Sequence, residues 1–134
     1  MARALALTAD LLFGSQMQGA LAAAGHDAQL IADFGQARER LRDQSAGAVD
    51  VLVVDLVDDD LDGAGALESL RAAGALDGVR TLAFYSHVNA AARERGARAG
   101  FDVIVARSRM AREGATLVAQ LAGEDVDGVA RIAP

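Results

Sequence analysis

The chain has 134 residues, 52% hydrophobic and only 4% aromatic, with a formal net charge of −6 and no cysteine. That length predicts one domain with a core of Leu, Val, Ile and Ala, and the missing thiols exclude a disulfide framework, a thiolate metal centre and a cysteine nucleophile. The acidic balance disfavours unspecific nucleic-acid binding, no apolar run approaches the roughly 18 residues of a membrane span, and the apolar part of MARALALTAD is too short for a signal peptide.

In chain order, RALALTA (3–9) predicts a strand. Phe13, Met17, Ala20, Leu21 and Ala24 then mark one face of a helix that stops at Gly25. AQLIA is a short second strand, and Phe34, Ala37 and Leu41 line a second helix. The apolar run in VDVLVVDL (49–56) predicts a central strand covered on both faces. Ala66, Leu67, Leu70 and Ala73 give a third helix over 64–75. RTLAFYS is a fourth strand, and NAAARERGARAG a weakly apolar helix interrupted by Gly96. DVIVA is a fifth strand, and AREGATLVAQLAG (111–123) a closing helix with Leu117, Val118 and Leu121 inward.

Five strand–helix repeats predict an α/β, doubly wound, five-stranded parallel sheet with right-handed crossovers. The domain spans 1–122, and the polar stretch 123–134 is a C-terminal tail. In such sheets the reactive crevice lies outside the carboxyl ends of the strands. Those ends carry Thr8 to Asp10, Asp55, Ser86 with His87, and Arg107 with Ser108. Charge is unevenly spread. Residues 55–62 hold five Asp and no base, whereas 93–112 hold six Arg against Glu94 and Asp102. Asp58 to Asp60 read as a solvated turn, and His87 has no second metal-ligand type beside it. All thirteen bases are arginine.

The segment VVDLVDDDLDGAGALESLRA, with its apolar strand, terminal Asp55 and Asp62-Gly63 pair opening a helix, resembles the CheY-like receiver domain of bacterial response regulators. ARAGFDVIVARSRM is similar to that family's fourth helix and fifth strand, and the likeness covers roughly residues 3 to 122. The resemblance implies the flavodoxin-like strand order 2-1-3-4-5. It implies Asp55 as phosphoacceptor, Ser86 as the hydroxyl that follows phosphorylation, and Arg107 in place of the family's lysine as counter-charge to Asp55. It also implies Mg²⁺, held by the acceptor and an acidic pair after the first strand, since an anionic carboxylate attacks a phosphoryl group only when a cation screens both. Here that pair reads Thr8-Ala9, which leaves Asp10 and Asp55 as a weak metal site. Ser108 stands for the usual proline, Asp59 for another, and Ile104 for the aromatic switch residue.

Two functions are thereby expected. The first is a stand-alone atypical receiver in two-component or phosphorelay signalling, with Asp55 as acceptor. The alternative is a pseudo-receiver that binds proteins without phosphorylation. Expected partners are a histidine kinase or another signalling protein, with a homodimer through the face of fourth helix, fifth strand and fifth helix. Nucleic acid and membrane are not expected partners, and the expected location is cytoplasmic. An enzyme is not expected, because no nucleophile–His–carboxylate set converges. No Asp-x-Asp follows the first strand, and TADLLFGSQMQG is not a phosphate-binding loop.

Overall fold

A computed structural model describes residues 1–123, in which strand and helix alternate throughout. The elements are β1 (Arg3–Leu7), α1 (Leu11–Ala23), β2 (Asp27–Ile31), α2 (Phe34–Arg42), β3 (Val51–Asp55), α3 (Gly63–Ala72), β4 (Arg80–Tyr85), α4 (Ala90–Ala99), β5 (Val103–Ala106) and α5 (Arg107–Leu121). Short 3-10 turns lie at Gln44–Ala46 and Asp59–Leu61. All strand pairs are parallel, and the sheet order is β2-β1-β3-β4-β5, the doubly wound order the resemblance implies.

Successive strand side chains point to opposite faces, and two cores result. Leu5, Leu7, Leu52, Val54 and Ala83 meet α2, α3 and α4 through Ala37, Leu67, Leu70 and Ala99. Ala4, Ala6, Val51, Val53, Leu82 and Phe84 meet α1 and α5 through Phe13, Met17, Leu21, Leu117 and Val118. The alanines of β1 are small, so α1 seats its aromatic and thioether side chains close to the sheet. Every residue of β3 is buried, as its unbroken apolar run predicts.

Three local expectations are corrected. Ala20 and Ala24 of the first helix are exposed, because the buried stripe of α1 is the narrower one of Phe13, Gly14, Met17 and Leu21. The fifth helix starts at Arg107 and not at Ala111. Nothing in RSRM breaks a helix, and Met110 is 2% exposed, so the added turn gains a core side chain. Gly96 is a packing point, not a loose one. A Cβ there would lie 2.8 Å from Leu56 Cδ1 and 3.3 Å from Ile104 Cδ1, so its absence lets the α4 backbone approach the sheet.

Further bonds tie α4 to α3. Arg95 holds Glu68 through two bonds, Nη2 to Oε1 at 2.6 Å and Nη1 to Oε2 at 3.1 Å. Arg71 donates to the carbonyls of Ala99 and Gly100 at 2.8 and 3.2 Å, and so satisfies the carboxyl end of α4. Among the described residues no helix is long and apolar enough to cross a membrane. Of the tail 123–134 only Gly123 falls within the described residues.

Candidate functional site

The parallel sheet brings the carboxyl ends of β1 and β3 side by side, with Leu7 paired to Val54. One residue further along each segment stand Thr8 and Asp55, respectively 4% and 2% exposed. Thr8 Oγ1 donates to Asp55 Oδ2 at 2.8 Å. The other oxygen, Asp55 Oδ1, accepts the Val57 N–H at 2.6 Å. Both oxygens of the buried carboxylate therefore accept bonds from neutral donors. Thr8 is itself held by its backbone N–H to the Ile31 carbonyl at 3.0 Å, and its hydroxyl oxygen accepts the Asp10 N–H at 3.1 Å.

Asp10 does not turn toward Asp55. It is the N-cap of α1, with Oδ1 accepting the Phe13 N–H at 2.9 Å. Its Oδ2 accepts from Arg107 Nη2 at 2.7 Å. Here an expectation is overturned: among the described ion pairs Arg107 is engaged by Asp10 and not by Asp55. The cause is the early start of α5, which roots the Arg107 backbone in a helical first turn beside α1. The guanidinium carbon lies over the Phe13 ring, 4.6 Å from its centroid, a cation–π contact, and the Phe13 centroid in turn lies 4.8 Å from that of Phe84.

Ser86 follows β4 directly and is half-buried; the hydrogen bond described for it is made by its carbonyl, which accepts the Asn89 N–H at 2.8 Å. No hydroxyl bond from Ser86 to Asp55 is present among the described residues. The structure thus joins Asp55, Thr8, Asp10 and Arg107 in one chain of hydrogen bonds. Thr8 as the direct partner of Asp55 is what sequence reading missed. The available signal was its register, since it directly follows the strand adjacent to β3.

Asp62 and Gly63 have a structural reason beside any chemical one. Asp62 is the N-cap of α3, with a left-handed backbone (φ 47°), and its side chain accepts the Gly65 N–H. A Cβ on Gly63 would meet Val54 Cγ1 at 2.6 Å and the Asp55 carbonyl at 2.7 Å. Only glycine lets α3 start this close to the end of β3. Asp59 and Asp60 are exposed and Asp58 accepts the Asp60 N–H, which is the solvated turn expected.

A hard divalent cation needs several free oxygens in a near-octahedral cage. Among the described residues no group of three or more His, Cys, Asp or Glu could hold a metal ion. Each oxygen of Asp10 and of Asp55 already accepts a hydrogen bond, and a hydroxyl stands where a second carboxylate would face Asp55. The residues present do not fit the ion.

No family model and no curated protein matches the sequence. Solved structures do match the fold. The receiver domain of a sensor histidine kinase from Pseudomonas aeruginosa, with a magnesium ion in its active-site cleft, is 21% identical, with a TM-score of 0.77 over 92% of this chain and 98% of that one. A Francisella response-regulator receiver domain is 19% identical, with a TM-score of 0.73 over 91% and 97% of the two chains. A chemotaxis response regulator of Vibrio cholerae is 16% identical, with a TM-score of 0.70 over 88% and 98%. The chain has the fold of receiver domains.

Proposed function

We propose that this receiver-fold domain signals through protein contacts without being phosphorylated at Asp55. One observation carries the reading: both Asp55 oxygens accept hydrogen bonds inside the fold, one of them from Thr8, which stands where a metal-binding carboxylate is needed. An attacking oxygen must be free and screened by a cation, whereas Asp55 is 2% exposed and each of its oxygens carries one neutral donor. The donor set around it does not suit Mg²⁺, so the metal site expected at Asp10 and Asp55 is weak or absent.

The surface offered to a partner is the face of α4, β5 and α5. Arg93, Arg98, Arg109 and Arg112 are exposed there, and Arg109 pairs with Glu113 on its own helix. An acidic surface on another signalling protein, a histidine kinase among them, or on a second copy of this chain suits that charge. Replacing Arg93 and Arg98 by Ala is expected to weaken association, read by light scattering and pull-down, with unchanged circular dichroism. Unchanged association would reduce these arginines to a solvated helix face.

The test of the central claim is intact mass after incubation with a small phosphodonor and Mg²⁺. No added mass is expected. A gain of one phosphoryl group that disappears in Asp55→Asn would instead establish Asp55 as a phosphoacceptor and the chain as an atypical response regulator in a phosphorelay.

A further inference from the structure

We infer that Arg107 is the resident cation of the cleft, taking the place that a divalent ion would hold beside Asp10 and making the site independent of metal. The inference deepens the preceding reading and rests on it only for the location of the cleft.

Three observations support it. Arg107 Nη2 lies 2.7 Å from Asp10 Oδ2, and the same carboxylate caps α1 through Oδ1, so one acid ties the starts of two helices together. The guanidinium carbon lies over the Phe13 ring, which rests on Phe84 of the central sheet, so its position is set by packing as well as by charge. Arg107 is also the first residue of α5, and Ala106 before it supplies no side-chain cap. A cation at a helix N-terminus opposes the helix dipole. It is tolerated here because the Asp10 carboxylate lies against it.

The chain of bonds then runs from Arg107 through Asp10 and Thr8 to Asp55. A divalent ion entering the cleft would have to displace the guanidinium from Asp10 and the Thr8 hydroxyl from Asp55. A flat guanidinium makes directional hydrogen bonds and stacks on a ring, and an ammonium does neither as well. Arg107 is thus a positioning residue that holds the first turns of α1 and α5 in register across the cleft.

Thermal melting of the whole chain, with and without millimolar magnesium chloride, tests this. Wild type is expected to melt at the same temperature in both. Arg107→Ala is expected to melt about 2–6 °C lower without metal and to recover part of that loss with Mg²⁺. The Asp10→Ala, Arg107→Ala double variant should show no recovery. Stabilisation of wild type by Mg²⁺ would overturn the inference. So would an Arg107→Ala variant that ignores Mg²⁺, since Arg107 would then be only a half-exposed ion pair. Should Arg107→Ala fail to fold, Arg107→Gln and the wild-type titration give the same decision. Phosphoryl uptake that needs no Mg²⁺ would overturn the preceding reading and leave this one standing.

Discussion

At Asp55 the decisive matter is which donors face a buried carboxylate. With Arg107 engaged elsewhere, the oxygens rest on the Thr8 hydroxyl and the Val57 N–H. Thr8→Val keeps the shape and removes the hydroxyl donor, which leaves a buried charged acceptor short of a partner. A loss of about 2 kcal/mol is expected, measured by urea unfolding. Asp55→Asn should cost less than about 1 kcal/mol. The amide oxygen can keep the Val57 bond, and its NH₂ can donate to Thr8 Oγ1 once the hydroxyl proton rotates. A larger cost for Asn than for the Thr8 substitution would show that the negative charge itself holds the site together. Arg107 as the main counter-charge of Asp55 would have led to another expectation, relief of repulsion in a carboxylate cluster.

The elements around the site are held by close backbone approach and by two ion pairs, Asp10–Arg107 and Glu68–Arg95. Gly63→Ala should destabilise by about 1–3 kcal/mol through overpacking against Val54 and the Asp55 carbonyl. Gly19→Ala, on the exposed side of α1 with nothing within 4 Å of its Cβ, should stabilise by about 0.5–1 kcal/mol. Equal effects on urea midpoints would remove the packing explanation. The tie between α3 and α4 carries a pH dependence. The Arg95 hydrogen bond holds the Glu68 carboxyl below its ordinary pKa, and Arg95 is raised in return. A depressed carboxylate contributes stability fully above its unfolded pKa, and that contribution is lost as pH falls through the lowered value. Acidification through the carboxylate range should therefore loosen α4 against α3 in wild type. Glu68→Gln should remove that component, which melting curves across acid pH would read.

Across the whole molecule, protection from exchange should follow the depth of the sheet. β3 and β4 lie at its centre between two cores, whereas β2 and β5 are the edges and are partly exposed. The slowest amides are expected in Val51–Val54 and Leu82–Phe84, with faster exchange in Asp27–Ile31, read by hydrogen-exchange mass spectrometry. Uniform protection across all five strands would mean that the edges open only with the global unfolding of the domain.

Much of the fold was legible in the chain because period-two and period-3.6 patterns report burial directly. The run Val51 to Val54 predicted a strand covered on both faces, and Gly25 marked the end of the first helix within two residues. The place of Asp55 at the carboxyl end of β3 followed from that alone. Which groups touch Asp55 did not follow, because Thr8 and Asp10 are 47 and 97 residues from their partners Asp55 and Arg107. Both Asp10 and Arg107 carried the right charge for a metal and phosphoryl site. Each has a second bonding opportunity, Asp10 at the open N-terminus of α1 and Arg107 over the Phe13 ring. Only the packing of α1 against α5 decided that those opportunities are taken together. A carboxylate and a guanidinium pair with whatever tertiary structure sets within about 3 Å, and sequence alone does not carry that distance.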